Sequence, residues 1–436
     1  MLTLGHNSDM ISWLFLVVTL VGAWFTFNAY LPVRARGPLI GGSFFAGWLT
    51  SELSIHHFAW QVAATLGFVA FGALEAWPGW LGLLVTLASW AGLYGLAVQA
   101  SRSAPALEHA LEQGLGEAYR SEIPAEVWPS LEQPLRPGRR LVPFLMLDPD
   151  VKRIGGISYA PEHGFRGELD IYVPKSGARN APVLFQIHGG GWTISQKGHQ
   201  ALPLMLQLAR AGWVCVAANY RLSPKATWPD HLVDLKRALG WIRENIAEYG
   251  GDPDTVAVTG GSAGGHLSAM MALTANDPEY QPGFEDVDTS VTAAVPFYGV
   301  YDFSDAYGLH LHDGMPLFLE NLVMKSSLET HREEWQKASP MHRITPDAPP
   351  FFVIHGTHDS LTPIEEARHF VELMRKTSQQ PVCFAEIPGA QHAFETFYSL
   401  RTEHVVRGVE RFLAWIVARK KAQAPSPSEV NTTITT

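Results

Sequence analysis

Hydrophobic positions beyond residue 150 fall into two alternating patterns. The stretches 151–159, 168–173, 182–187, 213–218, 255–260, 291–298, 351–355 and 381–387 predict strands, and those such as 255–260 and 351–355 are short, nearly continuous apolar runs that read as buried. Between most of them apolar residues recur at helical spacing, which predicts helices at 199–211, 230–249, 262–275, 364–377 and 403–420. In the second of these, Leu232, Val233, Leu235, Ala238, Leu239 and Ile242 recur every three to four positions. Alternating strand and helix implies an α/β fold: a mostly parallel eight-stranded sheet with right-handed crossovers and helices on both faces. The segment 301–345 is rich in His, Asp, Glu and Met and breaks the alternation. It reads as a lid-like insertion, with a plain surface excursion as the alternative.

The first hundred residues follow a different rule. Residues 10–31 carry no charge, residues 58–74 are apolar apart from Gln61, and residues 80–98 carry no charge. A bilayer core takes about 20 apolar residues per helix, so the pattern predicts an all-α transmembrane region of about three helices over 1–100. Trp77 and Trp80 flank the turn between the last two, where an interfacial belt would lie. A cleaved signal peptide is not expected, since residues 1–9 hold no Lys or Arg and the apolar run is too long. Residues 38–50 are too short to span and fit a segment at the interface or re-entering it, with a two- or four-span count as the alternative. Glu52, His56 and His57, at the edge of the second span, read as interface anchors, with the lining of a substrate path as the alternative. Arg34 and Arg36 follow the first span, and Arg102, Arg120, Arg136, Arg139 and Arg140 follow the third. Three spans would therefore place the sheet domain in the cytoplasm, and an integral protein of a bacterial inner or plasma membrane is expected. A hairpin of this kind could also hold a homo-oligomer.

Composition adds exclusions. The 47% hydrophobic content mixes an apolar part with an ordinary domain, and the net charge of −10 is spread out and makes no case for nucleic acid. The two cysteines, Cys215 and Cys383, fall in predicted core strands and suit a reducing compartment. No spacing predicts a metal site, and no cofactor is implied. Residues 101–150 read as a linker supplying cap helices, 151–421 as the catalytic domain, and 422–436 as a Ser/Thr/Pro-rich disordered tail.

The chemistry sits in two glycine-rich turns. Gly260-Gly261-Ser262-Ala263-Gly264 joins a predicted strand to a predicted helix, the context a strained nucleophile turn requires. His188-Gly189-Gly190-Gly191 lies upstream after another strand and offers backbone N–H groups with no side chains in the way. A serine hydroxyl is a poor nucleophile until an imidazole removes its proton, and that imidazole needs a carboxylate to fix its tautomer. Reading on in the order serine, acid, histidine gives Asp359 after the strand at 351–355 and His392 after the strand at 381–387. The oxyanion donors expected are the amides of Gly190, Gly191 and Ala263, with His188 and Gly189 supporting the loop. Among 18 histidines, His355 and His358 compete with His392 but flank the proposed acid. Glu365 and Glu366 are expected at the solvated surface, and Glu386 in a structural role.

Residues 150–420 resemble the hormone-sensitive-lipase branch of the α/β-hydrolases and the neighbouring bacterial carboxylesterases and arylformamidases. Four stretches carry the likeness: His188-Gly189-Gly190-Gly191-Trp192, Asn219-Tyr220-Arg221-Leu222-Ser223-Pro224, Tyr249-Gly250-Gly251-Asp252-Pro253-Asp254, and 260–267. The resemblance implies a serine esterase without metal or cofactor. Gly261 stands where the lipase-like branch often has Asp or Thr, and the acid loop 358–363 lacks that branch's second acidic residue; both departures tilt toward the esterase and formamidase neighbours. The expected activity is cleavage of a small-molecule carboxylic ester through an acyl-enzyme, with apolar or membrane-partitioned esters favoured by the anchor. Amide or formamide cleavage, acyl transfer to a membrane alcohol, and a catalytically silent membrane module remain as alternatives.

Overall fold

The computed structural model describes residues 2–33, 39–132, 135–136, 138–310 and 314–423. Arg34, Arg36, part of the 301–345 insertion and the tail from 424 onward lie outside them.

Eight strands form one sheet in the order β1-β2-β4-β3-β5-β6-β7-β8: β1 Val151–Ser158, β2 Glu168–Pro174, β3 Ala181–Ile187, β4 Val214–Ala218, β5 Gly251–Gly261, β6 Ala293–Phe297, β7 Phe351–Gly356 and β8 Val382–Ile387. β1 pairs antiparallel with β2 and β2 antiparallel with β4, and the remaining neighbours are parallel. The sheet is therefore mixed at one edge and parallel through the middle, as the alternation of elements requires. β3, β4, β5 and β6 are buried through nearly their whole length, which explains their continuous apolar runs. Two cores sandwich the sheet. One face packs Val183, Phe185, Val216 and Val258 against the helices Asp230–Asn245 and Ala263–Leu273. The other packs Leu184, Cys215, Phe352 and Cys383 against the helices Leu202–Arg210 and Leu400–Gln423. The C-terminal ends of β3, β5, β7 and β8 all lead into the candidate loops, the position where open α/β sheets hold their ligands.

The N-terminal region is all-helical: α1 Leu2–Tyr30, α2 Leu39–Glu52, α3 Ser54–Ala70, α4 Trp77–Ser101 and α5 Ser103–Leu115. Two stretches, Asp9–Tyr30 and Trp77–Leu115, are long and apolar enough to cross a bilayer, and the 17-residue α3 runs beside them. Polarity in this bundle is inverted relative to a protein in water. Ser12, Thr19, Thr26, Gln61, Thr65, Thr86 and Ser89 are buried, while Trp13, Val17, Trp24, Phe27, Leu66, Leu84 and Leu87 are exposed. The buried polar groups pair across helices: Thr26 Oγ1 lies 2.8 Å from Ser89 Oγ, and Tyr30 Oη donates to Gly92 O at 2.7 Å. A side chain on Gly92 or Gly95 would collide with Thr26 or Tyr30, so these small residues set the close approach of α1 and α4.

Among the described residues of 101–150, none lines the active-site cavity. Instead α5 packs on the sheet edge, where Gly114 abuts Cys383 and Leu107 abuts Gly408 of the last helix. Glu52 is not an interface anchor: its carboxylate pairs at 2.8 Å with Arg401, and both side chains are fully buried. The bare carboxylate tolerates burial because Arg401 and the Ser399 hydroxyl both bind it.

Candidate active site

β5 ends at Gly261, the helix Ala263–Leu273 follows, and the chain reverses at Ser262. Ser262 holds φ 59° and ψ −122°, a conformation costly for an L residue. The turn closes only because its flanks lack side chains: a Cβ on Gly260 would meet Gly264 and Ile187 backbone, and one on Gly264 would meet Ile187 O. The Ser262 amide donates to Phe297 O at 3.0 Å. Ala263, as first residue of the helix, carries an amide without an intrahelical acceptor. Gly189 approaches so closely that a Cβ there would touch Gly261 O and Ser262 Cβ. The two glycine-rich turns thus meet, and Gly190 and Gly191 adopt φ of 105° and 58° in the tight turn between them.

His188 lies buried beneath that turn. Its ring stacks on Tyr220 at 4.3 Å, and Tyr220 Oη donates to His188 O. Burial pushes its pKa down to about 3, so the ring is neutral, and its Nδ1–H donates to Gly189 O at 2.8 Å. Gln200, which the sequence reading did not single out, accepts from the Gly189 amide at 2.6 Å and borders the same cavity as Ser262. It sits at the edge of a predicted helix, where its pattern resembles any polar surface position.

Asp359 and His392 come from the loops after β7 and β8. His392 Nδ1–H donates to Asp359 Oδ2 at 2.7 Å. Asp359 also accepts from the amides of Leu361 and Thr362 and from Thr362 Oγ1. Burial alone would raise its pKa; the facing imidazoles of His392 and His355 and the hydrogen bonds outweigh this and hold the carboxyl well below the usual carboxylate range. Gln391 ties the loops together, its side-chain oxygen accepting from the amides of Ser360 and His392. Of the rival histidines, His355 Nε2 lies 3.1 Å from Thr362 O and 3.5 Å from Asp359 Oδ2, on the acid's side, and His358 Nδ1 lies 3.4 Å from Ala29 O.

Ser262 and His392 border one cavity of about 650 Å³ together with Gly190, Gly191, Gln200 and Thr362. Thr193 also lines it, and the rest of the wall is chiefly apolar, from Trp192, Ile194, Val300, Met315, Phe318 and Leu361. Met315 and Phe318 belong to the helix Gly314–Phe318 of the 301–345 insertion, and Phe318 leans on Gly191.

Gly261 also has a local reason. A Cβ there would strike the ring and hydroxyl of Tyr298, which donates to Glu395 and lies 4.5 Å, ring to ring, from His392. An Asp or Thr at 261 would displace that ring. Burial pushes the Glu395 carboxyl up to about 7.

Glu386 pairs with Arg368 at 2.6 Å, and Glu365 is exposed. Glu366 is not at the surface: it is buried and accepts from the amides of Tyr301 and Asp302 at the base of the insertion. Burial raises its pKa from 4.5 to about 8. A carboxyl raised on folding favours the folded state most at low pH, and that advantage is lost as pH rises from 4.5 through about 8. The melting temperature of the wild type is therefore expected to fall across that window relative to Glu366→Gln. Parallel curves for the two proteins in a pH series of thermal melts would refute a buried neutral Glu366.

Comparison with known proteins fits this arrangement. The BD-FAE family model matches residues 169–374. The probable carboxylic ester hydrolase LipM of Mycobacterium tuberculosis is 44% identical over 427 residues, covering 95% of this chain and 96% of LipM. This chain belongs to the LipM-like family of carboxylic ester hydrolases. Esterase LipQ of the same organism is 42% identical over 76% of this chain and 78% of its own length. The butyrate-bound thermophilic esterase of Thermogutta terrifontis shares the α/β-hydrolase fold at a TM-score of 0.51 and 27% identity, covering 62% of this chain and 95% of that one. The likeness to LipM thus takes in almost the whole chain. The T. terrifontis esterase matches a smaller share, of the size of the sheet domain alone.

Proposed function

We propose that this LipM-like chain is a membrane-anchored serine hydrolase that cleaves apolar carboxylic esters through an acyl-enzyme. The observation that carries the reading is the 2.7 Å Asp359–His392 hydrogen bond, with His392 and Ser262 bordering one largely apolar cavity. His392 Nε2 takes the proton of Ser262 as Oγ attacks the ester carbonyl. Negative charge on the former carbonyl oxygen is held by the amides of Gly190, Gly191 and Ala263, and one such donor contributes about 3 kcal/mol. His392 then protonates the departing alcohol. Water, deprotonated by His392, attacks the acyl-serine and releases the acid. Asp359 stays ionised throughout and holds the imidazole in the tautomer that leaves Nε2 free.

The inverted polarity of the helical region supports anchoring, because exposed Trp, Leu and Phe around a hydrogen-bonded polar seam suit hydrocarbon surroundings better than water. α1 and α4 end at the catalytic domain, where His358 meets Ala29 and Gln99 abuts Gly389, while Ser12 and Ala73 meet at the far end. With the basic residues after the first and third spans, this supports a cytoplasmic catalytic domain.

Full-length protein in lipid should turn over p-nitrophenyl esters orders of magnitude faster than the matched anilides, and should stay in the membrane pellet through alkaline carbonate washing. Equal rates on the anilides would move the assignment to an amidase, and release into the supernatant would overturn the anchoring.

A further inference from the structure

α2 is too short to cross a bilayer, yet it makes the most consequential contacts of the helical region. Its Phe44 side chain lines the cavity that holds Ser262, with its ring 6.4 Å from that of His392. One turn on, Trp48 stacks on Phe44 and donates from Nε1 to Ala393 O at 3.0 Å, directly beside His392. At the end of the helix Glu52 binds Arg401, whose guanidinium also donates to Ser51 O and, through Nε, to Pro388 O at 3.0 Å. The loop 388–393 that carries His392 is therefore gripped at both ends, at Pro388 through Arg401 and at Ala393 through Trp48. α2 is itself fixed to α1: Asn28 Nδ2 donates to Ser43 O at 2.7 Å, and Ser43 Oγ returns a bond to Asn28 Oδ1 at 2.6 Å.

The cavity rim adds a second observation. Phe44 on α2, Ile194 on the oxyanion loop, and Met315 and Phe318 on the insertion helix are apolar and line the same cavity, and Ile194 is also exposed. Apolar side chains from three separate elements around one cavity match a hydrocarbon-bearing substrate rather than a polar one.

We propose that α2 is a working part of the ester site: Phe44 is the wall that receives the substrate's hydrocarbon group, and Trp48 and Glu52 position the His392 loop. The anchor region is then required for the shape of the site as well as for location. This rests on the serine-esterase reading above. Phe44, which would touch substrate, sets specificity, while Glu52 and Arg401 act through His392 and are positioning residues.

The test uses full-length protein in lipid nanodiscs, with p-nitrophenyl acetate, butyrate and octanoate as substrates and a fluorophosphonate label located by mass spectrometry. Phe44→Ala is expected to raise KM for the octanoate about tenfold while the acetate changes less than about twofold, the low end of the scale of losing apolar contact with one methylene. Phe44→Leu should restore most of the loss. Glu52→Gln should lower kcat for all three esters alike, leave KM near its wild-type value and shift the acid limb of the pH–rate profile. Trp48→Phe, which keeps the ring stack and removes only the bond to Ala393, should do the same more weakly and covers the case in which Glu52→Gln fails to fold. A wild-type chain-length profile in Phe44→Ala, or an unmoved pH profile in both positioning variants, would overturn the role of α2 while leaving the esterase reading intact. Absence of labelling at Ser262 in the wild type would instead overturn the esterase reading and this inference with it.

Discussion

Replacing Ser262 by alanine will abolish turnover and labelling while leaving the fold in place. Ser262 is the one side chain at the reversal after β5, and its amide and carbonyl stay bonded, to Phe297 O and the His266 amide, whatever the side chain is. Alanine still has to adopt φ near 59°, so the strained turn persists and the glycines around it still fit. What disappears is the hydroxyl proposed to be acylated. The expected loss in kcat is about 10⁶-fold, the scale on which a triad nucleophile acts, with a residual rate from the oxyanion amides alone. The measurement pairs steady-state hydrolysis of p-nitrophenyl butyrate with fluorophosphonate labelling, and a melting curve shows that the variant is folded. Retention of even a hundredth of wild-type turnover, or a label carried by another residue, would remove Ser262 from the nucleophile's role. Adding His392→Ala to Ser262→Ala should lower the rate little further, because the two groups act as one unit.

The central strands were legible because this sheet buries them on both faces, so that Val183–Phe185 or Val256–Val258 read as unbroken apolar runs. The glycines at the nucleophile turn were legible because each answers to a backbone clash, a local constraint that writes itself into local sequence. Contacts set by distant parts of the chain left no such mark. Glu366 lies in the first turn of an amphipathic helix beside another glutamate, and nothing nearby signals that Tyr301 and Asp302 present their amides to it. It does stand one helical turn before buried Phe370, on the arc shared with Ile364, Ala367 and Met374, and that placement was the available hint. Glu52 and Arg401 are 349 positions apart and each looks like an ordinary charge in its own window. α2 posed the same difficulty: its length excludes a span, but only the folded chain brings Phe44 to His392. Residues 101–150 left a similar gap, because a segment rich in Pro, Glu and Leu does not say what its helices pack against; α5 buries its face on β8 and the last helix.

Asp359→Asn is expected to preserve the architecture of the site and still lower kcat by about 10⁴-fold. The carboxylate accepts four hydrogen bonds, from the amides of Leu361 and Thr362, from Thr362 Oγ1 and from His392 Nδ1–H. Every partner is a donor. An asparagine can keep its oxygen toward the two amides, but its NH₂ then faces Thr362 Oγ1 and His392. The hydroxyl can turn to accept, whereas the imidazole can accept only by moving its proton from Nδ1 to Nε2. That tautomer points an N–H at Ser262 and cannot take the serine proton, and a neutral amide no longer stabilises the imidazolium formed on attack. Because Asp359 is held well below the usual carboxylate range, it contributes stability above that range and loses it as pH falls through its own lowered value. The wild type is accordingly expected to lose more stability than Asp359→Asn as the solution is acidified toward and below the ordinary carboxylate pKa. The two readouts are kcat over a pH series and thermal melts over the same series. An asparagine variant with near wild-type kcat would mean that Asp359 does not serve His392. His355, whose Nε2 lies 3.5 Å from the same carboxylate oxygen, would then have to be examined as its real partner.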